Sequence, residues 1–240
     1  MVQIKLKPLI LCIETATAVC SVALVSGTKV VVEKSSSKNN SHSSQLHLMI
    51  ETLLCDNGYS FEDLTAVAVS RGPGSYTGLR IGASAAKGYC YALNIPLIAP
   101  DSLQIMAAGF IIQNPGLPEE TILCPMIDAR RMEVYSALYD IKLNALSPVA
   151  AIIINPQAYS TATGNKNVFF FGDGAAKCVP VFEERKNWFF YEHYQLSAAH
   201  MAPLVADRLE HQLYENVAYF EPFYFKEFIA GKPRVKGLHG

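Results

Sequence analysis

The chain has 240 residues, of which half are hydrophobic and 17% are charged. Lysine and arginine (20) nearly balance aspartate and glutamate (21), which excludes a disordered tail protein and argues against a self-sufficient nucleic-acid binder. No stretch approaches the roughly 18 apolar residues of a membrane span. The six cysteines form no C-x-x-C pair, and their mostly apolar surroundings predict reduced core cysteines in a cytoplasmic protein.

The first part of the chain predicts strands followed by strand–helix alternation. Short apolar runs predict strands, and apolar residues at helical spacing predict helices. This order is typical of a mixed sheet with helices on its faces. The predicted strands are 9–13, 19–25, 30–33, 66–70 and 96–99, and the predicted helices are 42–56, 78–93 and 102–112.

The second part repeats the start of the first. The strand that ends at Glu14 can be laid on the strand that ends at Asp128, and the apolar strand before Gly72 on the one before Gly172. Compatible offsets indicate an internal duplication with a shortened first helix in the second copy. We predict an N-terminal lobe over 1–112, a reduced C-terminal lobe over 113–225 with a last helix over 197–214, and a flexible basic tail over 226–240.

A glycine-rich loop over 71–78 joins a predicted buried strand to a predicted helix. Backbone N–H groups in such a loop can bind an anion at the helix start, where Ser75 or Thr77 would cap the helix. The loop matches neither a Walker A motif nor G-x-G-x-x-G, so a purely structural turn is the other interpretation. The candidate glycines are Gly72 and Gly74.

Two carboxylates stand at equivalent places in the proposed repeat. Glu14, which is followed by Thr15, and Asp128 each end a predicted strand. If the two turns faced each other across a cleft, these side chains would hold a hydrated magnesium ion with a nucleotide phosphate. Alternatively, each acid only caps its own turn.

The helix predicted over 78–93 is rich in small residues. Each glycine in a helix interior costs roughly 1 kcal/mol relative to alanine, so several of them require a compensating contact. The close neighbour would be the helix over 42–56, a helix of another subunit, or both, and internal packing alone remains the other interpretation. We predict a partner interface formed by Leu46, Met49, Ile50, Leu53, Gly78, Gly82, Ala85, Ala86 and Tyr89.

Three segments, 13–24, 70–82 and 128–135, resemble the signatures of the TsaB (YeaZ) family of tRNA threonylcarbamoyladenosine biosynthesis proteins. Residues 221–226 stand where that family has its C-terminal Glu-Pro-x-Tyr-Leu-Arg-like segment. The resemblance implies an α/β fold with two RNase H-like lobes of the actin-like ATPase (ASKHA) type, in which mixed sheets carry helices on their faces and the second lobe is reduced.

The resemblance also implies a function. Such proteins are non-catalytic partners of TsaD that, together with TsaE, support transfer of a threonylcarbamoyl group to N6 of adenosine 37 in tRNAs reading ANN codons. It implies docking on TsaD through the helices over 42–56 and 78–93, a homodimer when TsaD is absent, and tRNA contact only through the complex. The segment over 101–109 has no histidine where TsaD carries paired metal ligands, so neither a metal nor a catalytic residue is expected.

The possible use of a nucleotide leads to a competing hypothesis for the function. The resemblance implies no cofactor of the chain's own, but ATP or ADP with magnesium at the junction with TsaD. The loop at Gly172 and Gly174 falls short of the glycine-rich adenosine motif of active ASKHA enzymes, so tight independent ATP binding is not expected. The competing hypothesis is an ASKHA phosphotransferase that acts alone and uses Glu14 and Asp128 around Mg-ATP.

Overall fold

The computed structural model describes residues 8–36, 42–182, 185–191 and 193–225. Its first sheet is formed by five strands: β1 (Leu9–Glu14), β2 (Cys20–Ser26), β3 (Lys29–Ser36), β4 (Ala66–Val69) and β5 (Leu97–Ile98). Their order across the sheet is β3-β2-β1-β4-β5. The first three strands pair antiparallel, whereas β4 and β5 continue the sheet from β1 in parallel. The predicted mixed sheet is therefore confirmed.

The second sheet repeats this topology. It is formed by β6 (Ile122–Asp128), β7 (Glu133–Ser136), β8 (Ala150–Ile153), β9 (Val168–Phe171) and β10 (Trp188–Tyr191). The order is β10-β9-β6-β7-β8, with β6, β7 and β8 antiparallel and β9 and β10 parallel to β6. Strand for strand this matches the first sheet, so the topology agrees with the predicted duplication.

The helices differ in length between the two halves. The first half carries α1 (His42–Cys55), α2 (Tyr76–Leu93) and α3 (Ser102–Gln113), and the rest carries α4 (Ser160–Thr163), α5 (Val179–Phe182) and α6 (Ala202–Glu210). In the repeat, α4 and α5 occupy the positions of α1 and α2 but have only four residues each. The second lobe is therefore reduced, as predicted.

Three hydrophobic clusters fill the layers. Successive residues of β1 point to opposite faces, so Leu11 packs with α1 and α2 on one side, and Ile10 packs with α3 on the other. The cluster around α3 also includes side chains of the second sheet, such as Phe171 and Leu123. A third cluster covers the far face of the second sheet. The layer around α3 thus joins the two sheets.

The predicted last helix is partly wrong. A 3₁₀ turn spans Ala198–Met201, α6 begins at Ala202, and it ends at Glu210, four residues before the predicted end. Pro203 stands in the first turn of α6, where a missing N–H costs nothing. Gln212 has a φ of 53°, and this left-handed conformation prevents the helix from continuing.

The end of the described chain returns to the first sheet. The Ala198 amide donates to Ser21 Oγ at 2.8 Å, and the Glu215 amide donates to the carbonyl of Leu97 at 2.9 Å. The division at residue 112 stays a prediction, although residues from Ala198 onwards pack on the lobe predicted for 1–112. The predicted tail over 226–240 lies outside the described residues. Within the described ranges, every helix is too short or too polar to cross a membrane.

Candidate functional site

The glycine-rich loop lies tightly against the turn that follows β1. The Ser75 amide donates to the carbonyl of Ala16 at 2.7 Å, and a Cβ atom on Gly74 would stand 2.5 Å from that same oxygen. Ser75 Oγ accepts a bond from the Gly78 amide, so Ser75 caps α2 as predicted. Gly74 is therefore required for close packing of the loop on the chain's own backbone.

Gly78 and Gly82, the first two glycines of α2, also allow close packing on the chain's own backbone and side chains. A Cβ on Gly78 would overlap the carbonyl oxygen of Thr15, and one on Gly82 would overlap Thr15 Oγ1. Both glycines are buried. They let α2 approach the end of β1. Their place in a partner interface stays a prediction, and their burial within the chain's own packing does not favour it.

Glu14 is fully buried where β1 ends. Its Oε1 accepts hydrogen bonds from the Ala16 amide at 2.7 Å and from Ser70 Oγ at 2.8 Å. Its Oε2 has no hydrogen-bond partner among the described residues, and neither has the buried Thr15 Oγ1. Burial raises the pKa of Glu14 to about 7, and the hydrogen bonds from the Ala16 amide and Ser70 only partly oppose this shift.

Asp128, at the matching place in the repeat, has a different environment. Its exposed carboxylate accepts the Arg130 amide at 3.0 Å and is paired with Lys177. The Asp128 amide donates to Asp173 Oδ1 at 2.9 Å. A buried Glu14 and a lysine-paired Asp128 do not form the two open carboxylates that a magnesium–phosphate group needs. The described residues therefore do not fit the predicted magnesium site in this conformation.

A buried histidine lies beside α3, where sequence reasoning found no role for it. His200 Nδ1 lies 3.0 Å from Tyr194 Oη, which donates to the Met106 carbonyl, and Nε2 lies 3.2 Å from Gln113 Nε2. A Cβ on Gly109 would overlap the imidazole ring. Burial lowers the pKa of His200 to about 4, so the ring is neutral. This network ties the 3₁₀ turn to α3 and is structural.

A groove of about 540 Å³ runs along the outer side of α2, and one residue of α1 borders it. Its wall includes Tyr89, which stacks on Phe61 and lies 2.8 Å from His47 Nδ1 through its hydroxyl. A Cβ on Gly88 would meet nothing within 4 Å, so this glycine is not required by the fold. The lining residues are His47, Arg80, Ile81, Ser84, Ala85, Gly88, Tyr89 and Ala92.

Only two of the nine predicted interface residues line this groove. Ala85 and Tyr89 do so, whereas Ala86 is fully buried. The α1 residues face the sheet because their apolar stripe forms this chain's own core, so their place in a partner interface stays a prediction that this burial does not favour. These residues are Leu46, Met49, Ile50 and Leu53. The polar and small lining residues carry no hydrophobic periodicity, so the sequence pattern missed them.

Comparison with known proteins shows the family to which this chain belongs. The family model described as "TsaD: tRNA N6-adenosine threonylcarbamoyltransferase" matches residues 30–230. The chain belongs to the TsaD family. Among curated relatives, it is 35% identical over 140 residues to the tRNA threonylcarbamoyladenosine biosynthesis protein TsaB of Bacillus subtilis, which is 58% of each chain. It is 38% identical over 130 residues to TsaB of Escherichia coli, which is 54% of each chain.

The curated relatives confirm the resemblance to TsaB (YeaZ) within this family. The chain spans little more than half the length of the curated relatives that it matches. The structure of YeaZ from Pseudomonas aeruginosa superimposes with a TM-score of 0.75 at 23% identity, covering 90% of this chain and 99% of that one. That likeness shows the fold over nearly the whole length, including the part beyond the sequence alignments.

Proposed function

We propose that this family member is a non-catalytic subunit of the machinery that makes N6-threonylcarbamoyladenosine at position 37 of tRNAs reading ANN codons. It docks on TsaD, works with TsaE in the cytoplasm, and contacts tRNA only through the complex. When TsaD is absent, the same surface pairs two copies of the chain. The groove along α2 is the observation that carries this proposal.

The groove suits a helix of a partner. Ser84, Gly88 and Ala92 follow one another at spacings of four residues and lie exposed in it. Small side chains on one face of a helix let a second helix approach closely. His47 and Arg80 supply polar groups beside this small-residue line. Since a TsaD-type protein would share this fold, it would offer an equivalent helix pair as the occupant.

The chain's own chemistry supports a subunit that does not act alone. Glu14 is buried and Asp128 is paired with Lys177, so neither carboxylate is available to hold magnesium. A phosphotransferase that acts alone would need both groups open to its substrate. Any ATP or ADP with magnesium that the complex uses at the junction would then depend on groups of TsaD. No observation among the described residues favours the phosphotransferase.

Gly88 offers a test with a matched control. Gly88→Leu would fill the groove, while Gly88→Ala adds one methyl group to open space. Both changes raise helix propensity, so both variants should fold. Mixed with TsaD from the same organism and sized by light scattering, the original chain and Gly88→Ala should form a complex, and Gly88→Leu should not. Equal complex formation by Gly88→Leu would refute the docking surface.

A further inference from the structure

The last described part of the chain, the C-terminal segment over residues 215–225, crosses the first lobe on the side of α2. Lys87 Nζ of α2 donates to the carbonyls of Ala218 and Phe220 at 3.2 and 3.0 Å. The Phe220 side chain is buried in the hydrophobic cluster that α1 and α2 form with the first sheet. These contacts hold the segment on the first lobe up to residue 220.

Beyond residue 220, the C-terminal segment lies on the glycine-rich loop and on the start of α2. The Phe223 amide donates to the Arg71 carbonyl at 2.7 Å. The Phe223 carbonyl oxygen lies 2.7 Å from the point where Gly72 would carry a Cβ atom, and Gly72 has a φ of 112°, which favours glycine. The ring centre of Tyr224 lies 4.8 Å from that of Tyr76, the first residue of α2. The segment therefore fits closely against the first lobe here as well.

The end of the C-terminal segment reaches the second lobe. The ring centre of Phe225 lies 5.6 Å from that of Tyr135 on β7, and Phe223 contacts Phe225 edge to face. Tyr135 is half-buried and packs against the hydrophobic cluster around α3. Aromatic rings at such separations attract each other beyond the effect of the area they bury. Residues 223–225 thus connect the loop and helix of one lobe to a strand of the other.

The two lobes are therefore connected on both faces of the first sheet. On one face, the layer around α3 includes side chains of the second sheet, such as Leu123 and Phe171. On the opposite face, which α1 and α2 cover, the connection is made by residues 223–225. A single connection would leave the second lobe free to rotate about it, whereas two connections on opposite faces fix its orientation.

We propose that residues 223–225 are a latch that holds the second lobe in a fixed orientation to α2, and that release of the latch lets the lobes rotate about the layer around α3. The latch is the connection that should open first, because segments with few buried contacts have the lowest local stability. Phe223 is 39% exposed, and Tyr224 and Phe225 are only half-buried, whereas Phe110 of α3 is fully buried. This proposal concerns the two lobes and does not depend on the docking groove.

Spin labels on the two lobes test the latch in the full-length chain. Cys55 on α1 is exposed and the other five cysteines are buried, so Cys55 carries one label, and Ile153→Cys, at a side chain of β8 that is 70% exposed, carries the other. Pulsed electron paramagnetic resonance should give one distance between these labels. Tyr224→Ala combined with Phe225→Ala should add a second distance with a share of about 10% or more, because a minor conformation is typically only about 0.1–10% populated before a contact that disfavours it is lost.

One control variant and two truncations complete the test. Tyr219→Ala removes a ring of the same segment that is 84% exposed, so it should keep the single distance. Ending the chain after Phe220 removes the latch and should add the second distance, whereas ending it after Phe225 removes only residues 226–240 and should not. A single unchanged distance in both the double variant and the shorter chain would overturn the proposal. A second distance in Tyr219→Ala or in the longer chain would also overturn it, since the latch is intact in both.

Discussion

Gly82 and Gly88 lie six residues apart in α2 and meet opposite surroundings. A Cβ on Gly82 would overlap the buried Thr15 Oγ1, and a Cβ on Gly88 would meet nothing within 4 Å. The two glycines therefore have different roles: Gly82 allows close packing, and Gly88 leaves the groove open. Each can be tested by adding one methyl group.

We expect the two alanine variants to change stability in opposite directions. Gly82→Ala overpacks a buried contact and should cost about 1–3 kcal/mol of unfolding free energy. Gly88→Ala should gain up to about 1 kcal/mol, because alanine is the better helix former and the added methyl group is unobstructed. Urea unfolding of both variants measures the difference. Two changes of the same sign would contradict the packing described for α2.

Glu14 predicts a pH-dependent contribution to stability. Its pKa is about 7 in the folded chain against an ordinary value of 4.5, because burial disfavours the charged form. Between these values, the folded chain holds a proton that the unfolded chain has lost. This contribution is therefore complete below pH 4.5 and declines as the pH rises towards 7, by about 1.4 kcal/mol per pH unit and by about 3 kcal/mol in total.

Glu14→Gln isolates this effect. The amide keeps an acceptor for the Ala16 amide and Ser70 Oγ but cannot ionise. Unfolding free energies measured from pH 4.5 to pH 8 should fall less steeply for Glu14→Gln than for the original chain. Asp128→Asn, at the exposed acid in the matching place, is the control for an acid-to-amide change elsewhere in the chain. An unchanged slope in Glu14→Gln would show that the buried carboxyl does not titrate in this range.

At the scale of elements, the C-terminal segment over residues 215–225 is held on α2 by Lys87, which donates hydrogen bonds to two of its backbone carbonyls. Lys87→Met keeps the apolar stem but removes both bonds to the carbonyls of Ala218 and Phe220. A hydrogen bond to a charged group is worth about 1.5–3 kcal/mol, so hydrogen exchange at the Phe223 amide should accelerate roughly tenfold or more. Lys142→Met, which removes an exposed ion pair with Glu119, is the control. Unchanged hydrogen exchange at the Phe223 amide would show that Lys87 does not hold the C-terminal segment against α2.

Hydrophobic periodicity was enough to predict most elements. The strands of the first sheet and the helices α1, α2 and α3 lie within a few residues of their predicted bounds, because each carries a clear apolar pattern. The same pattern could not distinguish a stripe that packs on the chain's own sheet from one that packs on a partner. That is why the interface predicted from the sequence includes Leu46 and Ile50, although both are fully buried in this chain.

The candidate site was less predictable, because it depends on which distant segments of the chain pack together, and composition does not show this. Sequence placed Glu14 and Asp128 at equivalent strand ends, and the repeated topology agrees with that equivalence. It could not show that one acid would be buried beside Ser70 and the other paired with Lys177, 49 residues further along the chain. Nor could it show that residues 221–225 return to the glycine-rich loop.

On the scale of the whole molecule, two lobes of the same topology share a core around α3 while their surfaces have diverged. The first lobe keeps long helices and an open groove, and the second lobe has helices of only four residues in the equivalent positions. An asymmetric pair of lobes with an open helical flank is suited to binding a protein partner. We expect its activity to appear only in that partner's presence.

The most direct measurement is the yield of N6-threonylcarbamoyladenosine in tRNA, with TsaD and TsaE from the same organism and a threonylcarbamoyl-adenylate donor. We predict modification only when TsaD and this chain are both present, retained yield with Gly88→Ala, and loss of yield with Gly88→Leu. Modification by this chain without TsaD would contradict the central claim, as would full yield from TsaD and TsaE when this chain is left out.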